Sequence, residues 1–316
     1  MKALSNVLLI LSVAVLASCG GSGSDDSIAP PATGTVTVFL TDGPMDEAQS
    51  LVFHVIHVDM GHADGSITHV VLPGGPLDID MMQLQNGAVQ SILNNMTIPA
   101  GQYEWMELGV DLTQSHIGTM SGGQHNMTMS TAYPFRGTEP FEIGLAQHAE
   151  FVMDFDLRRG VQQHDMGGMM GVEYRLHDAM RLMNTDNTGG VSGTVDVSLM
   201  DFNQARCDSA TGGNWMYVYA GTDAPADDLA ATDTDGFPGP IATDMVEMNN
   251  GTGEYEYHFA FLNAGSYRVA FTCSGEWDED SDDDYPTDPD GMFDFLTMSA
   301  AMTVTAGQMH RYNVTP

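Results

Sequence analysis

The chain has 316 residues, a formal net charge of −34 and only 9 basic residues against 43 acidic ones. This imbalance excludes nucleic acid and anionic lipid surfaces as binding partners, because both are bound through basic surface. So acidic a surface keeps a protein soluble and favours a monomer.

The N-terminus predicts an export signal. Lys2 precedes an apolar run at 7–16, which is shorter than the roughly 20 residues that cross a bilayer. The following residues, Leu16-Ala17-Ser18-Cys19, resemble the lipobox of bacterial lipoproteins. The resemblance implies cleavage after residue 18 and lipid attachment to Cys19, and Gly20 then favours the outer membrane of the cell envelope. An ordinary secretory signal with an incidental cysteine is the alternative.

Composition divides the rest of the chain into segments. Residues 19–33 are rich in Gly, Ser, Asp and Pro, which predicts a flexible tether behind the signal peptide at 1–18. The remaining ~280 residues suit two domains better than one. A run of Asn, Asp, Thr and Gly at 185–190 has the composition of a linker, so domains are predicted at 34–184 and 191–316.

The first predicted domain consists of short extended runs separated by turns. Alternation of Thr and Val predicts a strand at Gly34–Leu40, and further strands are predicted at 51–58, 67–72 and 103–112. Phe151, Met153 and Phe155 point to one face of another strand, while Asp154 and Asp156 point to the other. One or two short helices are also expected. The best candidate is 80–94, although Gly87 interrupts it.

The second predicted domain has aromatic and apolar residues at every second position, a pattern typical of strands that pack into a core. The whole chain therefore predicts an all-β fold of two tandem antiparallel β-sandwich domains. The inward rows are Val195, Val197 and Leu199; Trp215, Tyr217 and Tyr219; Tyr255, Tyr257, Phe259 and Phe261; Tyr267, Val269, Phe271 and Cys273; and His310, Tyr312 and Val314.

Two family resemblances support this reading. The Leu-Thr-Asp-Gly-Pro opening at 40–44 and the Phe-Asp-Leu-Arg run at 155–158, with stretches at 98–111 and 174–182, resemble the bacterial lipoprotein family called domain of unknown function 4382. That resemblance implies an exported β-rich module and brings no catalytic residues. Residues 262–269 and 302–308 resemble the carboxypeptidase regulatory-like, transthyretin-like sandwiches, which usually serve as structural or adhesive spacers.

Cysteine usage agrees with export. Apart from Cys19, the chain contains only Cys207 and Cys273. A pair of cysteines in an oxidising compartment predicts a disulfide. It would close a loop of about 67 residues and stabilise the fold by about 4 kcal/mol. Two buried free thiols are the alternative.

An acidic stretch between residues 276 and 294 is a candidate calcium site, because clustered carboxylates in an exported loop can bind Ca²⁺. Neither this stretch nor the acidic turn at 233–236 has the spacing of an EF-hand, and a solvated run of charge is the alternative. The candidate ligands are Asp280, Asp282, Asp283, Asp284, Asp288 and Asp290.

Histidine and methionine suggest a second metal hypothesis, because imidazole and thioether ligands suit copper. The alternative is that these methionines fill cores, since the chain contains 24 of them. His54 and His57 are predicted to lie on opposite faces of one strand, which excludes a shared metal ion. The two patches are His116, Met120, His125, Met127 and Met129, and His164, Met166, Met169 and Met170.

The motifs that identify common enzymes, such as a nucleophile elbow, a His-Glu-x-x-His sequence or a phosphate loop, do not occur in the sequence. The leading hypothesis is a lipid-anchored envelope protein, not an enzyme, that binds a protein or glycan partner or has an adhesive or structural role. The alternatives are a metal-binding envelope protein and a glycan-acting enzyme that uses a carboxylate pair such as Asp154 and Asp156.

Overall fold

The computed structural model describes residues 32–45, 48–120, 122–166, 172–200, 207, 213–229, 239–278 and 293–316. All of them belong to one compact unit, Ala32–Pro316. The described fold is almost entirely β, as predicted. None of the described helices is long and apolar enough to cross a membrane.

The N-terminal part, defined here as residues 32–184, contains a single described turn of α-helix, α1 (Leu157–Gly160), after its longest strands. Its described strands are β1 (Thr33–Asp42), β2 (Ala48–His62), β3 (Ile67–Val71), β4 (Leu77–Asp80), β5 (Gln90–Pro99), β6 (Gly101–Val110), β7 (His116–Thr119), β8 (Gln124–His125), β9 (Met127–Met129), β10 (Arg136–Gly137), β11 (Phe141–Ile143), β12 (His148–Phe155), β13 (Val161–Asp165), β14 (Val172–Leu176) and β15 (Met180–Asn184).

Two large sheets enclose the core of the N-terminal part. One has the strand order β15-β12-β1-β5, and the other has the order β10-β6-β2-β7-β8, with β11 beside β6 and both β3 and β4 beside β2. Most pairs are antiparallel, but β1 and β12 run parallel in the middle of the first sheet. One cluster of buried side chains fills the space, from Val36 to Leu182, with Phe53 and Phe155 fully buried at its centre.

The C-terminal part, residues 185–316, repeats the two-sheet arrangement. One sheet has the order β19-β20-β16-β24 and the other the order β18-β17-β21-β22, with β23 beside β21. Its described strands are β16 (Thr188–Val195), β17 (Trp215–Ala220), β18 (Ala242–Met245), β19 (Glu247–Met248), β20 (Tyr255–Asn263), β21 (Gly265–Thr272), β22 (Thr297–Met298), β23 (Met302–Val304) and β24 (Met309–Arg311).

The C-terminal part has its own buried cluster, which extends from Val191 to Val314. A smaller cluster around Trp215, Tyr217 and Tyr219 lies beside it. The cores of the two parts are therefore separate in sequence, although the described residues form one compact unit. The division into two domains stays a prediction.

The predicted helix at 80–94 is wrong. The Asp80 side chain caps only a 3₁₀ turn, Met81–Gln83, by accepting the N–H of Met82. Asn86 and Gly87 then adopt φ angles of 58° and 77°, which right-handed helix does not allow. Residues Gln90–Pro99 pair with β1 instead, so tertiary strand pairing outweighs local helix propensity here.

The predicted linker at 185–190 contains regular secondary structure. Thr185–Asn187 is a 3₁₀ turn, and β16 begins at Thr188. A Cβ on Gly190 would lie 2.5 Å from the carbonyl oxygen of Phe259. Glycine here permits close approach of a neighbouring strand rather than flexibility.

Two of the predicted inward rows end early. After Val195 the chain forms a 3₁₀ turn, Val197–Met200, because Asp196 accepts hydrogen bonds from the backbone and the hydroxyl of Ser198. The row on β20 stops before Phe261, which has a φ of 51°. The burial pattern shifts there, so Leu262 is buried in place of Phe261.

Candidate functional site at the junction of the two parts

The Leu-Thr-Asp-Gly-Pro motif at 40–44 and the Phe-Asp-Leu-Arg motif at 155–158, on which the family resemblance of the N-terminal part rests, lie side by side. The parallel pairing of β1 with β12 places Asp42 opposite Phe155. The Asp156 side chain caps α1 by accepting the N–H of Arg159 at 3.2 Å, and Asp42 accepts the N–H of Leu157 at 3.2 Å. Both aspartates therefore hold the first turn of α1 in place.

The α1 turn presents Arg158 to the C-terminal part. Its guanidinium donates to the hydroxyl of Tyr217 at 2.7 Å and to the carbonyl oxygen of Gly275. The guanidinium also lies over the ring of Trp215 and 3.8 Å from a carboxylate oxygen of Asp278. Because Arg158 is only 8 % exposed, a buried cation connects the two parts.

A cavity of about 30 Å³ lies beside α1, between the two parts. That volume accommodates one or two water molecules or a single cation. Strands β1, β12 and β15 of the N-terminal part supply charged lining residues, and strands β18 and β20 close the cavity from the C-terminal part. The polar lining residues include Asp42, Asp154, Asp156, Arg181, Thr243, Asp244 and His258.

Several polar atoms at this cavity are buried without a hydrogen-bond partner. They include one carboxylate oxygen each of Asp42 and Asp156 and the hydroxyl of Thr243. Those three residues are 5 %, 4 % and 3 % exposed. Nε of Arg181 and Nδ1 of His258 are unpaired as well. Because an unsatisfied buried polar atom is costly, this set favours occupation of the cavity by water or a cation.

Carboxyl groups outnumber basic side chains at the cavity. Four carboxyl groups line it, and Arg181 pairs with one of them, Asp154. Burial, and then repulsion from Asp154 and Asp156, hold the pKa of Asp42 well above its ordinary value. Burial also raises the pKa of Asp156, and it raises the pKa of Asp244 to about 8. The site can therefore retain protons near neutral pH or exchange them for a cation.

Two of the four described non-glycine residues with a positive φ angle lie at the same place. Asn86 and Phe261 line the cavity, and both have positive φ angles, 58° and 51°. A bulky residue such as Phe rarely adopts this conformation, which costs of the order of 1–3 kcal/mol. Strain of this kind is typical of binding sites.

Sequence reasoning identified Asp154 and Asp156 but not their burial. Asp154 lies on β12, and Asp156 follows the strand as the N-cap of α1, yet they are only 6 % and 4 % exposed and line the cavity against the C-terminal part. The contribution of Asp244 and His258 was missed altogether. A strand pattern gives the face of a side chain, but it does not show which later strands pack over that face.

The predicted disulfide is present, since the structure joins Cys207 and Cys273 with their Cα atoms 5.0 Å apart. The lipidation residue Cys19 lies outside the described residues, so lipid attachment stays a prediction. The acidic turn at 233–236 and the six candidate calcium ligands also lie outside them, and calcium binding at those positions stays a prediction. The six are Asp280, Asp282, Asp283, Asp284, Asp288 and Asp290.

The methionine and histidine patches are spread over different environments. Met127 on β9 is buried in the core, whereas Met120 and Met129 are exposed. His116 and His125 lie on the short strands β7 and β8. His164 and Met166 are exposed, and Met169 and Met170 lie outside the described residues. Copper binding stays a prediction.

The prediction that His54 and His57 face opposite sides of β2 is wrong. The pairing of β2 with β6 shifts register between Val55 and His57, which marks a β-bulge at Ile56. Val55 and Val58 are both buried, so the alternation resets and His54 and His57 share the half-exposed face.

Comparison with known proteins supports the N-terminal resemblance. The family model described as "Domain of unknown function (DUF4382)" matches residues 33–171. No curated protein matches the sequence. The resemblance of the C-terminal part to transthyretin-like domains stays a prediction.

Similar solved structures include the Bacillus anthracis TIE protein, at 9 % identity over 90 % of this chain and 34 % of that chain, with a TM-score of 0.19. GBS52, the minor pilin of Streptococcus agalactiae, shows 8 % identity over 88 % and 94 %, with a TM-score of 0.18. The fimbrial anchor protein Mfa2 from Porphyromonas gingivalis shows 9 % identity over 84 % and 82 %, with a TM-score of 0.18. The chain spans about a third of the TIE protein. At such low TM-scores and sequence identities, these similarities do not indicate a function.

Proposed function

We propose that this chain, whose residues 33–171 belong to the DUF4382 family, is a non-catalytic cell-envelope protein, anchored by lipid at Cys19, that displays its two β-rich parts as one rigid unit. Its role is to bind a protein or glycan partner in adhesion or in the organisation of the envelope. The observation that supports this proposal is the buried Arg158, which connects the two parts.

The Arg158 contacts favour a fixed arrangement over a hinge. Movement of the C-terminal part away from α1 would separate the guanidinium from Tyr217, Gly275 and Asp278 at once. The acceptors and the Asp278 carboxylate would lose their buried partner, which is strongly unfavourable. A rigid pair of domains holds a binding surface at a fixed distance from its anchor.

The junction cavity does not suit glycan hydrolysis. Its volume of about 30 Å³ is far too small for a sugar ring. Asp154 is paired with Arg181, and Asp156 caps α1, so both carboxylates have structural partners. These roles support a non-catalytic protein over the glycan-acting alternative.

Cell fractionation tests the anchor. In the native host we expect the wild-type protein in the outer-membrane fraction and the Cys19→Ala variant in the soluble fraction, because lipid would be its attachment to the membrane. Protease treatment of whole cells then distinguishes a surface-facing from a periplasm-facing protein. Retention of the Cys19→Ala variant in the membrane would show that the lipid-anchor proposal is wrong.

A deletion strain tests the adhesive or structural role. We expect the deletion to reduce cell attachment to protein-coated or glycan-coated surfaces, or to weaken the envelope against detergent. Complementation with wild type should restore the property, and complementation with Arg158→Met should not. Arg175→Met is the matched control, because the side chain of Arg175 is much less buried than that of Arg158 and pairs with Glu173 two residues away. A deletion strain that behaves as wild type in both assays contradicts the proposed role.

A further inference from the structure

A second cluster of polar side chains lies on the half-exposed face of β2, away from the junction. Asp59 on β2 is directly paired with His69 on β3. His57 lies two residues before Asp59 and therefore points to the same face. The bulge at Ile56 produces this arrangement because it brings His57 onto the half-exposed face. Without it, His57 would point into the core.

The three side chains converge on a small volume. One oxygen of Asp59 lies 2.6 Å from Nδ1 of His69, and the other lies 3.4 Å from Nε2 of His57. The two imidazole rings are 4.5 Å apart between centroids. One nitrogen from each histidine and one carboxylate oxygen lie within 4.8 Å of one another.

Glycine on the neighbouring strand makes room for the His57 ring. Gly109 on β6 is paired with His57, and a Cβ at this position would lie only 2.2 Å from Cε1 of the ring. The imidazole therefore lies flat against the β6 backbone, which limits its rotation. Glu107, the partner of Asp59 on β6, is engaged by Arg136, whose Nε donates to it at 2.7 Å.

We propose that His57, Asp59 and His69 bind one divalent transition-metal ion of the Zn²⁺ class. Two imidazoles and a carboxylate are ligands that Zn²⁺ and its neighbours in the first transition row accept well. Bonds of about 2.0–2.1 Å place adjacent ligand atoms of a tetrahedral zinc roughly 3.3 Å apart. The 3.4 Å distance between Nε2 of His57 and the carboxylate of Asp59 is close to this value, and the ligand nitrogen of His69 lies within 4.8 Å of both other ligand atoms.

The exposure of the ligands indicates what the metal could reach. The side chains of His57 and Asp59 are 25 % exposed, and that of His69 is 52 % exposed. Three protein ligands leave at least one coordination position open, and the open position faces solvent. A water molecule or a ligand atom from a binding partner completes the coordination there.

Zinc titration tests the proposal. The full-length protein, extracted in detergent and stripped of metal with a chelator, is titrated with Zn²⁺ in competition with a chromophoric chelator. We expect a site of one equivalent whose affinity falls by about tenfold or more in His57→Gln and in His69→Gln, since even loss of an outer-shell partner costs that much. His69 is half exposed, so its substitution leaves the fold intact.

His54→Gln is the matched control. His54 lies on the same strand and contacts Asp78 at 2.6 Å, but it belongs to no group of three ligands among the described residues. We expect this variant to bind zinc like wild type. Equal affinity in the His54, His57 and His69 variants would falsify the proposal, because the zinc would then be bound elsewhere.

A positioning variant and a spectroscopic probe give independent results. Gly109→Ala keeps all three ligands but displaces the His57 ring, so we expect weaker zinc binding. Co²⁺ bound to the wild-type protein should give visible absorption bands of a low-coordinate nitrogen and oxygen site, and His69→Gln should abolish them. Bands that persist unchanged in His69→Gln would overturn the assignment.

Discussion

The guanidinium of Arg158 lies over the indole ring of Trp215, with its central carbon 4.1 Å from the ring centroid. Trp215 is fully buried, and Gly275 packs against the same ring, since a Cβ there would lie 2.6 Å from Cδ1. A residue of the N-terminal part thus packs against the smaller buried cluster of the C-terminal part, around Trp215. We therefore expect the stability of the protein to depend on this contact.

We expect Arg158→Met to destabilise the protein by about 3–5 kcal/mol, because the substitution leaves Asp278 as a buried charge without its cation. Urea denaturation followed by tryptophan fluorescence measures the effect, and Trp215 itself reports on the junction. The methionine side chain preserves much of the apolar contact with the indole ring of Trp215. The loss of unfolding free energy therefore reports on the charge of Arg158 and its hydrogen bonds.

Arg175→Met is the control for the loss of a cation. Arg175 donates to Glu173 at 2.9 Å, but its side chain is 39 % exposed. An exposed ion pair contributes about 0–1 kcal/mol, so we expect a small effect. Equal destabilisation by the two variants would show that Arg158 has no special role at the junction.

The junction also predicts a dependence of stability on pH. Burial raises the pKa of Asp244 to about 8, whereas an aspartate in the unfolded chain has a pKa of about 3.9. Between these values the folded protein holds a proton that the unfolded chain has released. The free energy of unfolding contributed by Asp244 therefore falls as pH rises through this window, by about 1.4 kcal/mol for each pH unit.

Asp244→Asn should remove this slope. The stability of the variant relative to wild type should therefore be higher at pH 8 than at pH 5. The amide oxygen can still accept the N–H of His258, which Asp244 binds at 2.6 Å. Asp64→Asn is the control, because hydrogen bonds from Ser66 lower the pKa of the exposed Asp64 and its titration falls below the window. Parallel pH profiles for wild type and Asp244→Asn would contradict the assignment.

The disulfide should contribute substantially to stability. Cys207 and Cys273 are separated by 66 residues, and closing a loop of this length constrains the unfolded chain by about 4 kcal/mol. We expect reduction, or replacement of both cysteines by serine, to lower the midpoint of urea unfolding accordingly. Reductant should have no effect on the double variant. A midpoint that does not move would mean that strain or residual structure cancels the entropic gain.

Sequence patterns predicted the strands well where side chains alternate strictly. The Thr and Val alternation at 34–40 falls within β1, and the aromatic row beginning at Trp215 is β17. Period-two alternation follows directly from strand geometry, so local sequence is sufficient for these elements.

Features that depend on tertiary pairing could not be predicted in the same way. The bulge at Ile56 changes the face of His57, and nothing in the apolar run at 51–58 distinguishes it from a regular strand. The sequence shows that His57 and Asp59 are two residues apart, but only the pairing register of β2 with β3 brings His69 next to them. The junction cavity likewise requires strands from both parts, and the sequence contains no signal that β18 covers Asp156.

The predicted calcium binding has two candidate sites in the chain. The acidic stretch at 276–294 lies mostly outside the described residues. Asp278, one of the described residues of this stretch, is buried and engaged by Arg158 and Tyr217, so its carboxylate is not available to a calcium ion. The junction cavity is the second place, because its carboxyl groups outnumber its basic side chains. A divalent ion at either place would offset repulsion between carboxylates.

We expect millimolar Ca²⁺ to raise the melting temperature. A site with a Kd of about 10⁻⁴–10⁻³ M stabilises the folded state by about 1–2 kcal/mol at tenfold excess of calcium. Sodium chloride at equal ionic strength is the first control, because screening alone also relieves repulsion. If it reproduces the whole shift, calcium has no specific site in this protein.

Two sets of substitutions then assign the site. Replacing Asp282, Asp283 and Asp284 by asparagine removes charge from the acidic stretch and leaves the junction intact. Asp156→Asn removes charge from the cavity, while the asparagine side chain still caps α1. Loss of the calcium shift in the triple variant alone places the ion in the acidic stretch, and loss in Asp156→Asn alone places it in the junction. A shift that survives both sets shows that neither place binds calcium, and the predicted ligands Asp280 to Asp290 then form only a solvated run of charge.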